Sequence, residues 1–441
     1  MLIHGFMTAA SGNKLNKTCL IHGSSRLTYG ELIERTDDRA CRLASLIAKG
    51  DAVLVRLADP VEQLLYFFAI IKAGGSCVLL DATAGPDMAA AVIERHGLKL
   101  YIDEQFELPA AASRLPDVYP EDIFLGAFSS GSTGSPKLIW RDHQSWSSAF
   151  ESQGQVFGLD GSATLYLAGS LVYTGNLNAC MQMLDAGGTV AIAASLMPRT
   201  WAHELINCRA TAIYMVPANY RRLLQSMEAP QAQIKAITSA GAKLDQNTVQ
   251  QMLRYFPQAR IVEYYGASEL GHISYQPAAE LLSHPGSVGK AFPGVTITIA
   301  DNIIWVESPY LAPEYRPKAS IGDLGRFDDD GRLYLQGRVQ GLINSGGVKV
   351  VPEQVEAVLL QCPGVSEAAV SGIDDPARGQ VVCAWLVKKR PELKSRDVLA
   401  FCRGKMFAHC CPRKIIFVDS MPLTAGGKID KRQLAVYKEK A

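Results

Sequence analysis

Short apolar runs alternate with amphipathic stretches along the first two thirds of the chain. Ala52–Leu57 and Ser76–Leu80 are runs of the β type, and Val61–Ala73 between them carries apolar residues at helical spacing. Thr189–Ala193, Ala212–Val216 and Arg260–Tyr264 predict buried strands, with helices over 198–209, 218–227 and 245–255. Strands that alternate with helices predict an α/β fold with layered, mostly parallel sheets. The pattern changes after residue 285. Ser287–Gly289, Val295–Ala300 and Ile303–Val306 predict the short antiparallel strands of a small β subdomain. Asp330-Gly331 is a turn signal for a hairpin over Phe327–Leu333. From Arg338 onward a smaller α+β unit is expected. Its helices are Pro352–Leu360 and Asp397–Phe407, and its strands are Glu367–Ile373, Val381–Val387 and Lys414–Val418. The expected division is a large domain over 1–337 and a small, mobile one over 338–441.

Composition narrows the function classes. Of 441 residues, 48% are hydrophobic, which is enough apolar surface to exclude disorder as the main state. The net charge is +1, so no global field exists to hold a nucleic-acid backbone. The basic run Lys388–Arg396 is interrupted by Pro391 and Glu392 and reads as a solvated surface. The most apolar stretch, Leu64–Leu80, contains Lys72, Gly74 and Gly75 and falls short of the about 20 apolar residues of a membrane span. The N-terminus lacks the pattern of a secretory signal. Ten scattered cysteines with no C-x-x-C pair suit reduced thiols and a cytoplasmic location.

Four segments carry candidate chemistry. Phe128-Ser129-Ser130-Gly131-Ser132-Thr133-Gly134-Ser135-Pro136-Lys137 follows a strand-like run, Ile123–Phe128. Its small residues let backbone N–H groups approach phosphate oxygens, its hydroxyls add donors, and Lys137 adds charge. It is not the P-loop, because Lys137 follows Pro136 and precedes Leu138. A flexible Ser/Gly linker is the plain alternative. Glu263-Tyr264-Tyr265-Gly266-Ala267-Ser268-Glu269 closes the strand at 260, where open α/β sheets bind ligands. A tyrosine there offers a face to a purine and Glu269 a ligand to a divalent ion, although a buried Tyr pair at a turn fits equally well. Gly322-Asp323-Leu324-Gly325-Arg326 supplies an acceptor for two ribose hydroxyls, or a turn cap. Near the C-terminus, Lys428 follows Gly426 and Gly427. A lysine on a loop can be carried to developing negative charge, or can simply be exposed.

In this order the segments resemble the adenylate-forming (AMP-binding) superfamily of acyl-CoA synthetases, adenylation domains and luciferases, in a compact form. The resemblance runs from Leu27-Thr28-Tyr29-Gly30-Glu31-Leu32 to Lys428. It passes through Lys72-Ala73-Gly74-Gly75, Ala240-Gly241-Ala242-Lys243-Leu244 and Ser345-Gly346-Gly347-Val348-Lys349-Val350-Val351-Pro352-Glu353. It implies two half-reactions with ATP, Mg²⁺ and coenzyme A. A carboxylate attacks the α-phosphorus of ATP to give acyl-adenylate and pyrophosphate, and a thiol then takes the acyl group and releases AMP. By this resemblance Ser129, Ser130, Gly131, Ser132, Thr133, Gly134 and Lys137 would hold the β- and γ-phosphates. Gly241, Ala242, Tyr264, Gly266, Ala267 and Ser268 would line the nucleotide, Tyr265 would stack on adenine, and Asp323 with Arg338 would hold the ribose. Lys428, Glu269 and Thr133 would act at the reacting groups, with Glu269 on Mg²⁺. The family rotates its small domain between steps, which would withdraw Lys428 and bring Gly346 and Gly347 to the thiol. The hinge would lie at Gln340, where relatives carry Asp or Lys.

The acid is expected to be fatty or aromatic. Amino-acid-activating relatives carry an Asp in the stretch that matches Leu165–Cys180, and no acidic residue occurs there. An ammonium buried without a partner would be costly. Tyr173 stands where many acid–CoA ligases carry His. Tyr173, Gly241, Gly266 and Ala267 would form the pocket, with Gly241 and Ala267 small enough for a bulky acyl group. His143 matches a family histidine and is expected to be structural. The preferred activity is ligation to coenzyme A. Loading of a separate acyl carrier protein is the first alternative, and a binding-only protein is disfavoured by Lys428. A homodimer is left open.

Overall fold

The computed structural model describes residues 1–129, 137–195, 197–345, 348–375, 379–403, 405–407, 409–423 and 429–436. The chain divides into two compact units. One comprises Met1–Ile297 with Val306–Ala319, and the other Thr298–Trp305 with Ser320–Ala441.

The first unit is built on two sheets. The larger has the strand order Lys290–Ala291, Gly271–Pro277, Arg260–Ala267, Ala236–Ser239, Ala212–Met215, Thr164–Leu167, Thr189–Ile192, Thr18–His22, Ser25–Thr28. Its centre, from Arg260–Ala267 to Thr18–His22, is parallel, and both edges are antiparallel. The order reverses at Thr164–Leu167, whose neighbours Thr189–Ile192 and Ala212–Met215 both follow it in sequence. The smaller sheet runs Leu100–Ile102, Ala52–Val55, Ser76–Leu79, Ile123–Ser129, Lys137–Asp142, and only its last pair is antiparallel. One apolar core joins residues of both sheets, among them Leu20, Val53, Leu125 and Leu165.

The helix Pro60–Lys72 shows why the apolar run before Gly74 is core. Residues 63–71 are all buried, a pattern expected of a helix packed on every side. Asp59 caps its N-terminus by accepting from Val61 N at 2.7 Å. The helix Tyr29–Leu43 opens on a reciprocal capping box between Thr28 and Glu31. Tyr29 Oη donates to the carbonyls of Leu184 (3.0 Å) and Gly188 (2.8 Å), which ties this helix to the larger sheet.

In the second unit, Asp323–Phe327 and Leu333–Arg338 form the expected hairpin, with Gly331 at φ +77° in its turn. A further sheet has the order Val348–Val350, Ile343–Ser345, Gly379–Lys388, Val365–Asp375. Lys414–Val418 lies parallel beside Gly379–Lys388. The helices Pro352–Leu359 and Ser395–Arg403 cover this sheet through Val355, Leu359, Val398 and Cys402.

Most expected elements are present, with ends shifted by a few residues. One differs in place. The strand before the small β region is Lys290–Ala291, not Ser287–Gly289. Gly289 sits at φ +82°, where a Cβ would fall 1.9 Å from the Tyr275 carbonyl oxygen, so the backbone there turns instead of extending. The cysteines carry no disulfide. No helix among the described residues is long and apolar enough to cross a membrane.

Candidate active site

The two ends of the Ser/Gly-rich segment are fixed by an antiparallel pair, in which Ser129 lies opposite Lys137. Ser130, Gly131, Ser132, Thr133 and Gly134 lie outside the described residues, as do Gly346, Gly347 and Lys428. Lys137 is described and exposed. Its ammonium lies 3.7 Å from the Glu314 carboxylate and 5.9 Å from the centre of the Tyr315 ring. The Tyr315 phenol and Glu314 hold its pKa above the ordinary lysine value. Residues 310–315 also reach Glu269, because Ala312 N donates to the Glu269 carbonyl at 2.9 Å. The structure therefore brings Lys137 and Glu269 to one locale, through a segment that the sequence motifs do not single out.

Glu269 itself is half-buried. No group of three metal-ligating side chains occurs among the described residues. A lone carboxylate fits Mg²⁺, which commonly binds one or two carboxylates and takes its other ligands from water and substrate phosphates. Glu269 is the residue that would hold it.

The run from Tyr264 to Glu269 is locked from several sides. Gly266 has no room for a side chain, since a Cβ would fall 2.5 Å from the Gly271 carbonyl oxygen. Thr174 Oγ1 lies 3.0 Å from Ser268 Oγ. Arg141 lies beneath the run. It is fully buried and donates to four carbonyls: Ser268 (3.2 Å), Glu269 (3.3 Å), Ser145 (3.1 Å) and Tyr310 (2.7 Å). Burial pushes its pKa down to about 9, so it remains a cation at neutral pH. Asp142 beside it is paired at 2.8 Å with Arg316 and caps the helix His143–Ser147. Sequence reasoning passed over Arg141. The available signal was a cation at a core position of a short apolar strand.

The tyrosine pair divides. Tyr264 turns inward: its hydroxyl meets Tyr214 Oη at 3.0 Å, and its ring packs 5.4 Å from Phe157 and 4.6 Å from His272. Strand alternation places Tyr265 on the opposite face. Tyr264, expected beside the nucleotide, is half-buried and packs its ring against the apolar core. Tyr173 is half-buried at the start of the helix Thr174–Asp185, and burial with Asp81 nearby pushes its pKa up to about 12. Gly241 and Ala242 are exposed in the turn after Ala236–Ser239, where Gly241 adopts φ +87°. His143 is buried, stacked 5.0 Å from Phe124, and accepts from Ile3 N at 3.2 Å. In the second unit, Asp323 is buried opposite Arg338 in the hairpin, and the Arg338 Nε donates to its carboxylate. Asp323 therefore opens a strand and is paired there with Arg338.

His272 gives this region a pH dependence. Burial pushes its pKa down to about 3, with the Arg141 charge adding to the shift. In the unfolded chain it titrates near about 6.5. Below that pH the unfolded state binds one more proton than the folded state. Stability is therefore full above about pH 6.5 and falls by up to about 1.4 kcal/mol per pH unit beneath it. Urea unfolding at pH 7 and pH 5 checks this. His272→Gln is expected to lose about 2 kcal/mol less than the wild type between the two. Equal losses would mean that the ring is not the titrating group.

Comparison with known proteins shows the family. The model of the family described as AMP-binding enzyme matches residues 6–120 and 105–315, and the AMP-binding enzyme C-terminal domain matches residues 354–428. An uncharacterized acyl–CoA ligase of Bacillus subtilis is 30% identical over 75% of this chain and 72% of its own. A putative long chain fatty acid–CoA ligase of Staphylococcus epidermidis is 27% identical over 95% of this chain and 94% of its own. Among solved structures, ATP-bound MatB of Rhodopseudomonas palustris superposes with a TM-score of 0.86 at 23% identity over all of both chains. At that identity the likeness speaks for the fold.

Proposed function

This chain belongs to the AMP-binding enzyme family, and from that premise we propose which residues carry its chemistry. It is an AMP-forming acid–CoA ligase that uses ATP. In the first half-reaction a carboxylate oxygen bonds to the α-phosphorus and the bond to the β-phosphate oxygen breaks, releasing pyrophosphate. In the second, a thiol sulfur bonds to the acyl carbon, its proton is lost, and AMP departs.

The observation that carries the residue assignment is the meeting of Lys137 and Glu269 around residues 310–315. In the proposal, the segment 129–137 holds the β- and γ-phosphates, with Thr133 among its donors. Tyr265 offers its face to adenine, while Gly241, Ala242 and Ser268 line the nucleotide. Bound Mg²⁺ would neutralise phosphate charge, and Glu269 is its protein ligand. Asp323 and Arg338 hold the ribose. Lys428 meets the charge that develops at the α-phosphate. Gly346 and Gly347 line the thiol's approach after rotation about Gln340. Tyr173, Gly241, Gly266 and Ala267 border the acyl group. Most of the rate enhancement then comes from positioning and from charge already in place. Coenzyme A is the proposed thiol, with a carrier protein's phosphopantetheine arm as the alternative.

Incubation with ATP, Mg²⁺ and a pool of fatty and aromatic acids, with and without coenzyme A, tests this reading. Acyl-CoA and AMP in equal amounts are expected by mass spectrometry. Pyrophosphate with retained acyl-adenylate but no acyl-CoA would transfer the proposal to a carrier protein.

A further inference from the structure

Two glycines lie against a pair of tyrosines near the Tyr264–Glu269 run. A Cβ on Gly266 would fall 3.4 Å from Cε2 of Tyr264. A Cβ on Gly175 would fall 2.3 Å from the Tyr214 hydroxyl oxygen and 3.7 Å from that of Tyr264. Gly175 follows Thr174, whose hydroxyl meets Ser268. The Tyr214–Tyr264 pair therefore lies directly under the backbone at which the acyl group is placed. Beside the pair lies a cavity of about 10 Å³, about one water's worth. Its walls include Gln153, Asn178, Gln182 and Thr238, all buried, and Gln153 Nε2 has no hydrogen-bond partner among the described residues. Such a space suits one ordered water and neither a ring nor an alkyl tail. The pair is also well supported, since Phe157 and His272 pack against Tyr264.

We propose that Tyr214 and Tyr264 form the floor of the acyl pocket and restrict this enzyme to short aliphatic acids, of acetate to butyrate size. This rests on the proposed placement of the acyl group beside Tyr173, Gly266 and Ala267. The small residue Gly175 then admits the Tyr214 hydroxyl and not a bulky substrate.

The test is coenzyme A-dependent AMP formation across a ladder of acetate, propionate, butyrate, hexanoate, octanoate and benzoate. The wild type is expected to favour butyrate over octanoate and over benzoate by at least about tenfold in kcat/KM. Tyr264→Gly is expected to reverse that order. Tyr264→Phe keeps the ring and should keep the short preference, which separates pocket depth from loss of folding. Wild-type preference for octanoate or benzoate would overturn the proposal and leave the ligase assignment standing. A folded Tyr264→Gly enzyme with unchanged preference would do the same. No AMP from any acid, with ATP still bound, would overturn the ligase assignment and this proposal together.

Discussion

Arg141→Met is expected to lower unfolding stability by about 3–5 kcal/mol and acyl-adenylate formation by about 100-fold. The cation is fully buried, and its four acceptors are backbone carbonyls from three separate segments. Methionine matches much of the volume but donates nothing. It leaves those oxygens without the guanidinium, while Asp142 keeps its pair with Arg316. Two of the acceptors, Ser268 and Glu269, belong to the run proposed to hold nucleotide and Mg²⁺. An ångström of drift there is enough for a loss of this size in rate. Arg141→Lys should fall between the two, because an ammonium cannot fork to four fixed acceptors. Urea unfolding and pyrophosphate release, measured on the same folded preparations, separate the effects. A lowered midpoint with unchanged turnover per folded molecule would leave Arg141 a structural residue and remove its positioning role.

Lys428→Ala is expected to slow acyl-adenylate formation by about 10²–10³-fold while leaving thioester formation from preformed acyl-adenylate nearly unchanged. The asymmetry follows from where charge develops. Attack on the α-phosphorus gathers negative charge on its oxygens, which a lysine stabilises. Attack of a thiol on the acyl carbon gathers it elsewhere. Lys428 lies outside the described residues, but the flanking chain is held. Leu423 and Ile429 form an antiparallel bridge, and Asp430 N donates to the Pro422 carbonyl at 2.8 Å. Single-turnover assays of each half-reaction read the difference. Equal losses in both would overturn the proposed rotation that serves the two steps with different residues.

The legible part of the protein was local. The alternation of runs around Ala52–Val55, Pro60–Lys72 and Ser76–Leu79 follows from periodicity, because each element buries its own apolar face. The Asp330-Gly331 turn is likewise written in neighbouring residues, as its hydrogen bonds close within a few positions. Of the candidate site in the first unit, Lys137 and Glu269 stand in motifs whose residue types suit the proposed chemistry. What connects them was not legible. Glu314 and Tyr315 reach Lys137 across more than 170 positions, and no periodicity marks such a contact.

Sequence alone therefore determined the α/β class, the order of the four candidate segments and the family, since these depend on residue types at short spacing. The tertiary structure decided which neighbours those segments meet. It turned Tyr264 inward to Tyr214, set Arg141 under Ser268 and Glu269, and left His272 without solvent. Each depends on packing between strands far apart in the chain. The burial that shifts a pKa, and the contact that fills or empties a pocket, exist only once those strands are assembled.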